Sequence, residues 1–355
     1  MTTRTALVMA GGTGGHIFPG LAVAELLRSR GWNVHWLGAP PPSMESQLVP
    51  AKGFVLEAVR FGGLRGKGLV TMALLPLRLL QAFWQSLRVV RRLRPDVLIG
   101  MGGYISFPGG MMGVLCGKPL VLHEQNSVAG LANKVLAHIA DKVLSAFPGV
   151  LPKAQWVGNP MRAAFLEQAA PAQRLAGRSG VLRVLVIGGS LGAQALNSVV
   201  PQALALIPVE QRPQVIHQGG AKHLNTLQAN YSQAGVQAEL LAFIDDTASA
   251  FAEADLVICR AGASTVSEIA AVGAAALFVP FPHAVDDHQT VNAEFLVSQQ
   301  AGWLMPQHSL TAAALANFLQ TTDRAQLQRA AINAYALRKT GAAHDVVTAC
   351  EEVSA

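Results

Sequence analysis

Met9-Ala10-Gly11-Gly12-Thr13-Gly14-Gly15-His16 is the stretch on which the reading of the fold turns. An apolar run, Thr5–Ala10, leads into it, and a helical pattern, Phe18–Arg30, leads out. Glycine adopts positive φ at little cost and lets other groups approach the backbone. The N–H groups at the start of a helix are unpaired and lie at the positive end of its dipole. A strand, a glycine corner and a helix in that order suit an anion, most often phosphate. His16 closes the corner, where it can also move a proton.

The pattern repeats outward from there. Strands are expected at Asn33–Gly38, Phe54–Val59, Asp96–Gly100, Leu120–His123 and Lys142–Ala146. Helices are expected at Leu69–Leu93 and Leu131–Ala140, with another after Gly102-Gly103-Tyr104. The alternation breaks near Val157-Gly158-Asn159-Pro160 and restarts with strand Arg183–Ile187, corner Gly188-Gly189-Ser190-Leu191-Gly192 and helix Ala193–Leu206. Strands then follow at Gln214–Gln218, Glu239–Phe243, Leu256–Cys259 and Ala276–Val279. Closing helices are read at Leu310–Leu319, Ala325–Lys339 and Ala343–Glu352. Strand and helix at this spacing give parallel sheets covered on both faces. The fold class is therefore α/β, with two Rossmann-like domains and a cleft between them. The expected bounds are 1–158 and 159–338, with 339–355 a helix that can pack back on the first domain.

Composition narrows the class. The three cysteines, Cys116, Cys259 and Cys350, are far apart and lack metal-ligand spacing, so they read as buried thiols in a reducing compartment. The first apolar run is strand-sized, and no segment offers about 20 clean apolar residues, so neither a signal peptide nor a transmembrane helix is expected. The net charge of +6 is uneven. Between Ala58 and Pro95 no acid occurs, while Arg60, Arg65, Lys67, Arg78, Arg88, Arg91, Arg92 and Arg94 do. Within Leu64–Arg94 many leucines accompany these bases, which fits an interfacial anchor on an anionic membrane better than a nucleic-acid surface. An ordinary buried helix with a solvated basic end stays open.

Several motifs carry chemistry. Gly11–His16 fails as a dinucleotide fingerprint, because Ile17 stands where a third glycine is needed and no acid closes the second strand. A phosphate site and a structural turn remain. Gly188–Gly192 repeats the logic with a serine hydroxyl. In Arg260-Ala261-Gly262-Ala263-Ser264-Thr265-Val266-Ser267-Glu268, Ser264 or Thr265 can cap a helix Thr265–Val272, and Glu268 either completes a capping box or accepts two hydrogen bonds from a ribose diol. Asp286-Asp287-His288-Gln289 opens a further helix through an Asp cap or offers amides to sugar hydroxyls; a third metal ligand is lacking. His123-Glu124-Gln125-Asn126 and Gly102-Gly103-Tyr104-Ile105-Ser106 end strands, where ligands of doubly wound sheets bind. His123 also suits the core.

The ordered set GGTGGH (Gly11–His16), GGYxSxP (Gly102–Pro108), HEQN (His123–Asn126), GNPxR (Gly158–Arg162), GGSxGA (Gly188–Ala193), RAGAxTVSE (Arg260–Glu268) and DxHQxxNA (Asp286–Ala293) resembles the MurG glycosyltransferases. The resemblance spans nearly the whole chain. Leu191 departs from the family's usual Gln, and Ala275 from its usual Pro. The resemblance implies a GT-B fold and transfer of N-acetylglucosamine (GlcNAc) from UDP-GlcNAc to the N-acetylmuramic acid (MurNAc) 4-hydroxyl of lipid I, with inversion, giving lipid II for peptidoglycan. It implies no cofactor and no metal. Carried over by motif, Thr13, Gly14, Gly15, Asn126, Arg162, Ser190, Ile244, Ala263, Ser264, Thr265, Val266, Ser267, Glu268 and Gln289 bind the donor. Gly11, Gly12, Tyr104, Ser106, His123 and Glu124 are acceptor candidates, and His16 is the candidate general base. Implied partners are UDP-GlcNAc, lipid I, an anionic membrane surface at the cytoplasmic face of the bacterial inner membrane, and cell-wall synthesis or division proteins; nucleic acid is not among them. The rival readings are another GT-B enzyme, such as a UDP-GlcNAc 2-epimerase or a transferase with a different lipid acceptor, and a membrane- or nucleic-acid-binding module without catalysis.

Overall fold

The computed structural model describes residues 3–62, 74–189 and 191–355. They form two compact units, Met1–Arg162 with Gly341–Ala355, and Ala163–Thr340.

The first unit runs β1 (Thr5–Met9), α1 (Gly14–Ser29), β2 (Asn33–Gly38), α2 (Met44–Ala51), β3 (Val55–Ala58), α3 (Leu75–Leu93), β4 (Val97–Gly100), α4 (Ser106–Leu115), β5 (Leu120–Glu124), α5 (Leu131–Leu136), β6 (Lys142–Ser145) and β7 (Gln155–Trp156). The described strands make a seven-stranded sheet in the order β3-β2-β1-β4-β5-β6-β7. Every pairing in it is parallel. Side chains of a strand alternate between faces. Thus Ala6 and Val8 of β1 join one core layer with Ile17, Leu21 and Leu27 of α1. Leu7 and Met9 join the other with Ala82, Val89 and Val90 of α3.

The second unit runs α6 (Ala163–Leu166), α7 (Pro171–Arg174), β8 (Arg183–Ile187), α8 (Gln194–Ala205), β9 (Gln214–Gln218), α9 (Leu224–Ala234), β10 (Glu239–Leu241), α10 (Thr247–Glu253), β11 (Leu256–Cys259), α11 (Ala263–Val272), β12 (Ala276–Phe278), α12 (His288–Val297), β13 (Trp303–Leu304), α13 (Ala312–Thr321) and α14 (Arg324–Ala336). Its described strands form a parallel six-stranded sheet, β10-β9-β8-β11-β12-β13. The chain then returns as α15 (Ala342–Val353), whose Val346, Val347 and Cys350 enter the core of the first unit.

Two sequence expectations are corrected locally. The first helix begins at Gly14 rather than Phe18, so the glycine corner is itself a first turn. The helix after β11 begins at Ala263 rather than Thr265. The unexpected α2 forms because Ser43 accepts from Ser46 N at 3.1 Å while Ser43 N donates to Ser46 Oγ at 3.1 Å, a reciprocal cap.

Candidate active site

In the second unit the carboxyl ends of β8 and β11 open onto a cavity of about 700 Å³, lined among others by Gly188, Leu191, Arg260, Thr265, Phe281 and Gln289. Two helices start at it. The N-cap residues of α8 and α11 are Ala193 and Gly262, and neither makes a side-chain cap. Both N-termini therefore keep positive partial charge for a ligand. The approach is tight: Gly192 holds φ +76, and a Cβ there would lie 1.9 Å from the Gly219 carbonyl oxygen. Of the two readings of the Arg260–Glu268 stretch, the capping box does not form, since Gly262 is the N-cap. Instead Ser264 Oγ is buried without a hydrogen-bond partner among the described residues. Arg260 is spent on structure. Its guanidinium donates to the carbonyls of Val279 and Pro280, each at 3.0 Å, and to Gln307 Oε1 at 2.7 Å. Burial lowers its pKa from the ordinary guanidinium value. The clamp fixes the segment carrying Phe281, whose N–H donates to Gln289 Oε1 at 2.9 Å.

In the first unit the glycine corner rests on a buried carboxylate. Glu45 Oε2 accepts from Gly12 N at 3.3 Å and Oε1 from Ala39 N at 3.1 Å. Thr13 is the N-cap of α1 without a side-chain cap, and its Oγ1 lies 3.3 Å from His16 Nδ1. Tyr104 stands against Gly12, and desolvation with the Glu45 charge raises its pKa. Deeper in, Ser106 is fully buried and donates to the Met9 and Gly102 carbonyls at 2.8 and 2.9 Å. His123 is fully buried, its Nε2 bonds the Gly158 carbonyl at 2.9 Å, and burial pulls its pKa down to about 4. Glu124 accepts from Asn126 N at 2.9 Å, Gly130 N at 3.2 Å and Asn133 Nδ2 at 2.8 Å.

Comparison with known proteins gives this geometry its family. Residues 6–145 match the glycosyltransferase family 28 N-terminal domain and residues 183–346 the glycosyltransferase family 28 C-terminal domain. The UDP-N-acetylglucosamine--N-acetylmuramyl-(pentapeptide) pyrophosphoryl-undecaprenol N-acetylglucosamine transferase of Paracidovorax citrulli is 67% identical over 352 residues, 99% of each chain. The crystal structure of Acinetobacter baumannii MurG is similar at TM-score 0.86 and 37% identity, over 98% of this chain and 99% of that one. The chain belongs to the MurG family of glycosyltransferases. A putative UDP-N-acetylglucosamine 2-epimerase from Listeria monocytogenes has TM-score 0.66 at 12% identity and covers 99% of this chain and 96% of that one; it shares the fold alone.

The MurG-type motifs sort by exposure. Thr13, Gly14, Gly15, His16 and Arg162 line accessible surface of the first unit, with the Arg162 guanidinium 5.8 Å from the Phe18 ring. Thr265, Ser267, Glu268 and Gln289 are partly open in the second unit, as is Ile244 after β10. The side chains of Ala263 and Val266 are buried, so only their backbone can meet a ligand. Ser106, His123 and Glu124, the acceptor candidates that lie deeper, are buried, with internal hydrogen bonds to their side-chain polar groups. Ser190 lies outside the described residues, as do positions 64–73 of the basic-apolar stretch. Sequence reasoning passed over Arg260 as a site residue although it opens the RAGA motif, and Gln307 lies in no motif.

On α3 the exposed apolar residues are Leu77, Leu80 and Trp84, at 65%, 63% and 55%. Leu75 and Leu79 pack on the core instead. Arg88 stacks over the Trp84 ring at 3.8 Å. No helix of the described residues is long and apolar enough to cross a membrane.

Proposed function

We propose that the chain moves GlcNAc from UDP-GlcNAc onto the MurNAc 4-hydroxyl of lipid I, giving lipid II. The observation that carries this is the pair of uncapped helix N-termini, of α8 and α11, opening onto one cavity. A nucleoside diphosphate supplies the anion such termini stabilise, and negative charge on departing UDP is stabilised the same way. The Ser264 hydroxyl, buried and without a partner among the described residues, gains one when the donor binds. Glu268 accepts the ribose hydroxyls, Ile244 lines the uracil, Gln289 meets the GlcNAc hydroxyls, and Arg162 and Ser190 contact the diphosphate. Thr13, Gly14, Gly15 and Asn126 complete the donor-binding set.

The acceptor is assigned to the first unit. Gly11, Gly12 and Tyr104 border it. His16 takes the 4-hydroxyl proton as the oxygen attacks C1 from the face opposite UDP, so the α-linked sugar emerges β-linked. The stripe Leu77, Leu80 and Trp84, with Arg78, Arg88 and Arg91 on the same helix, fits an anionic membrane surface. That surface is the cytoplasmic face of the inner membrane, where a polyprenyl acceptor lies.

The test is incubation with radiolabelled UDP-GlcNAc and a lipid I analogue. Label in the lipid fraction supports the reading. UDP release without labelled lipid, or conversion to the 2-epimer, overturns it.

A further inference from the structure

The side-chain oxygen of Gln125 is a buried acceptor that no described residue uses. Gln125 is 1% exposed, and its Oε1 has no hydrogen-bond partner among the described residues. Its direction is fixed from behind. A carbonyl only accepts, so His123 Nε2, 2.9 Å from the Gly158 oxygen, carries the ring proton. His123 Nδ1 is then an acceptor, and Gln125 Nε2 donates to it at 3.2 Å and to the His123 carbonyl at 3.3 Å. The amide oxygen is thereby turned toward Gly102. A Cβ on Gly102 would lie 2.9 Å from Gln125 Oε1 and 2.9 Å from His16 Nε2, so no more than twice that distance separates the two. Gly102, at φ +88, keeps the space between them clear. On the other side of the ring, Nδ1 meets Thr13 Oγ1 at 3.3 Å in an exposed contact. The imidazole thus turns one nitrogen outward and the other toward a waiting oxygen.

We propose that Gln125 is the positioning residue of the base. Its Oε1 accepts the Nε2–H of the His16 imidazolium that forms when Nδ1 takes the acceptor proton. In that step the hydroxyl O–H bond breaks and an Nδ1–H bond forms. The oxygen's electron pair makes the bond to C1, and the C1–O pair leaves with UDP. A base oriented by a third group is a recurring catalytic arrangement, and here the third group is a neutral amide. The proposal rests on the reading of His16 as the base.

The charged and titratable groups around the ring come from several elements. Glu45 of α2 lies beneath the corner and accepts from Gly12 and Ala39, and Tyr104 stands over Gly12. From β5, Glu124 is committed to Asn126, Gly130 and Asn133, and His123 stays neutral near pH 7. Of these groups His123 is the one that Gln125 touches, through Nδ1 at 3.2 Å, so its titration is followed beside that of His16.

Two variants test the assignment, Gln125→Met, which removes the oxygen, and Gln125→Glu, which charges it. The readouts are the His16 titration by NMR of histidine-labelled protein and the pH profile of kcat. Loss of an acceptor for the charged ring lowers the His16 pKa, and a carboxylate raises it, each by about one unit. The acid limb of kcat follows in the same directions. At neutral pH Gln125→Met loses about tenfold in kcat, with KM for UDP-GlcNAc within about twofold. If His16 titrates identically in all three proteins, the proposal fails, whatever happens to melting temperature or turnover. If His16→Ala keeps near-normal turnover, the base reading fails, and that outcome is separate from the titration shifts. Should Gln125→Met not fold, an unshifted His16 in Gln125→Glu still overturns the proposal.

Discussion

Replacing Ser264 by alanine should raise the stability of the ligand-free protein while weakening its hold on UDP. A buried polar group without a partner costs about 1–3 kcal/mol relative to one that is satisfied. Among the described residues Ser264 Oγ is such a group. Removing it forfeits a few dispersion contacts of about 0.1–0.2 kcal/mol each, leaving a net gain of about 1 kcal/mol. For a unit of about 150–250 residues that corresponds to roughly 2–4 °C in Tm. On the proposed reading UDP satisfies the hydroxyl, and its loss then costs about 0.5–1.5 kcal/mol, or roughly a twofold to tenfold rise in Kd. At fixed excess ligand, a tenfold weaker Kd lowers ligand stabilisation by about 1.4 kcal/mol. The order of the two melting temperatures should therefore converge or reverse on adding UDP. Differential scanning calorimetry with and without UDP, plus titration calorimetry, reads both effects. A variant that melts lower without ligand and binds UDP unchanged would refute the reasoning, because the hydroxyl would then have an internal role.

Two further outcomes follow from the buried histidines and from α3. Burial pulls the pKa of His123 down to about 4 and that of His217 to about 3, both below the ordinary 6.5, so the unfolded chain binds more protons between those values. Stability should be present above about pH 6.5 and fall with acidification, by about 2 kcal/mol per histidine between pH 7.5 and 5. Urea unfolding at the two pH values measures this, and a His123→Asn variant that loses as much as the parent would count against it. Replacing Leu77, Leu80 and Trp84 by serine should release the protein from anionic vesicles by tenfold or more while sparing transfer to a soluble acceptor. Undiminished vesicle binding in a sedimentation assay would return α3 to an ordinary surface helix.

Much of the fold was legible because its strongest signals are local. The runs Val184–Ile187 and Leu256–Cys259 are continuous and buried, the first stopped by Gly188 and the second bounded by Asp255 and Arg260, so their ends could be read directly. The two-residue strands β7 and β13 carry no periodicity, and pairing alone defines them. In α3 apolar and basic residues alternate so densely that the sequence could not separate Leu75 and Leu79, which face the core, from Leu77 and Leu80, which do not. The candidate site divides in the same way. Position at a strand's carboxyl end marked His123 and Glu124, but the direction of their side chains follows from neighbours such as Gly158 and Asn133. Gln125 lay inside a recognised motif, and only the geometry around Gly102 gives its oxygen a use.

The return of α15 also bears on biosynthesis. Val346, Val347 and Cys350 are fully buried in the first unit, and Glu351 and Glu352 reach Arg30 and Lys142 at 2.7 and 2.9 Å. The half of the protein that leaves the ribosome first is thus completed last. The second unit, contiguous from Ala163 to Thr340, can close while the amino-terminal sheet still waits for its covering helix. During that interval an apolar face of the first unit is open to the cell's chaperones, and a chain broken off before Ala342 would leave it open for good.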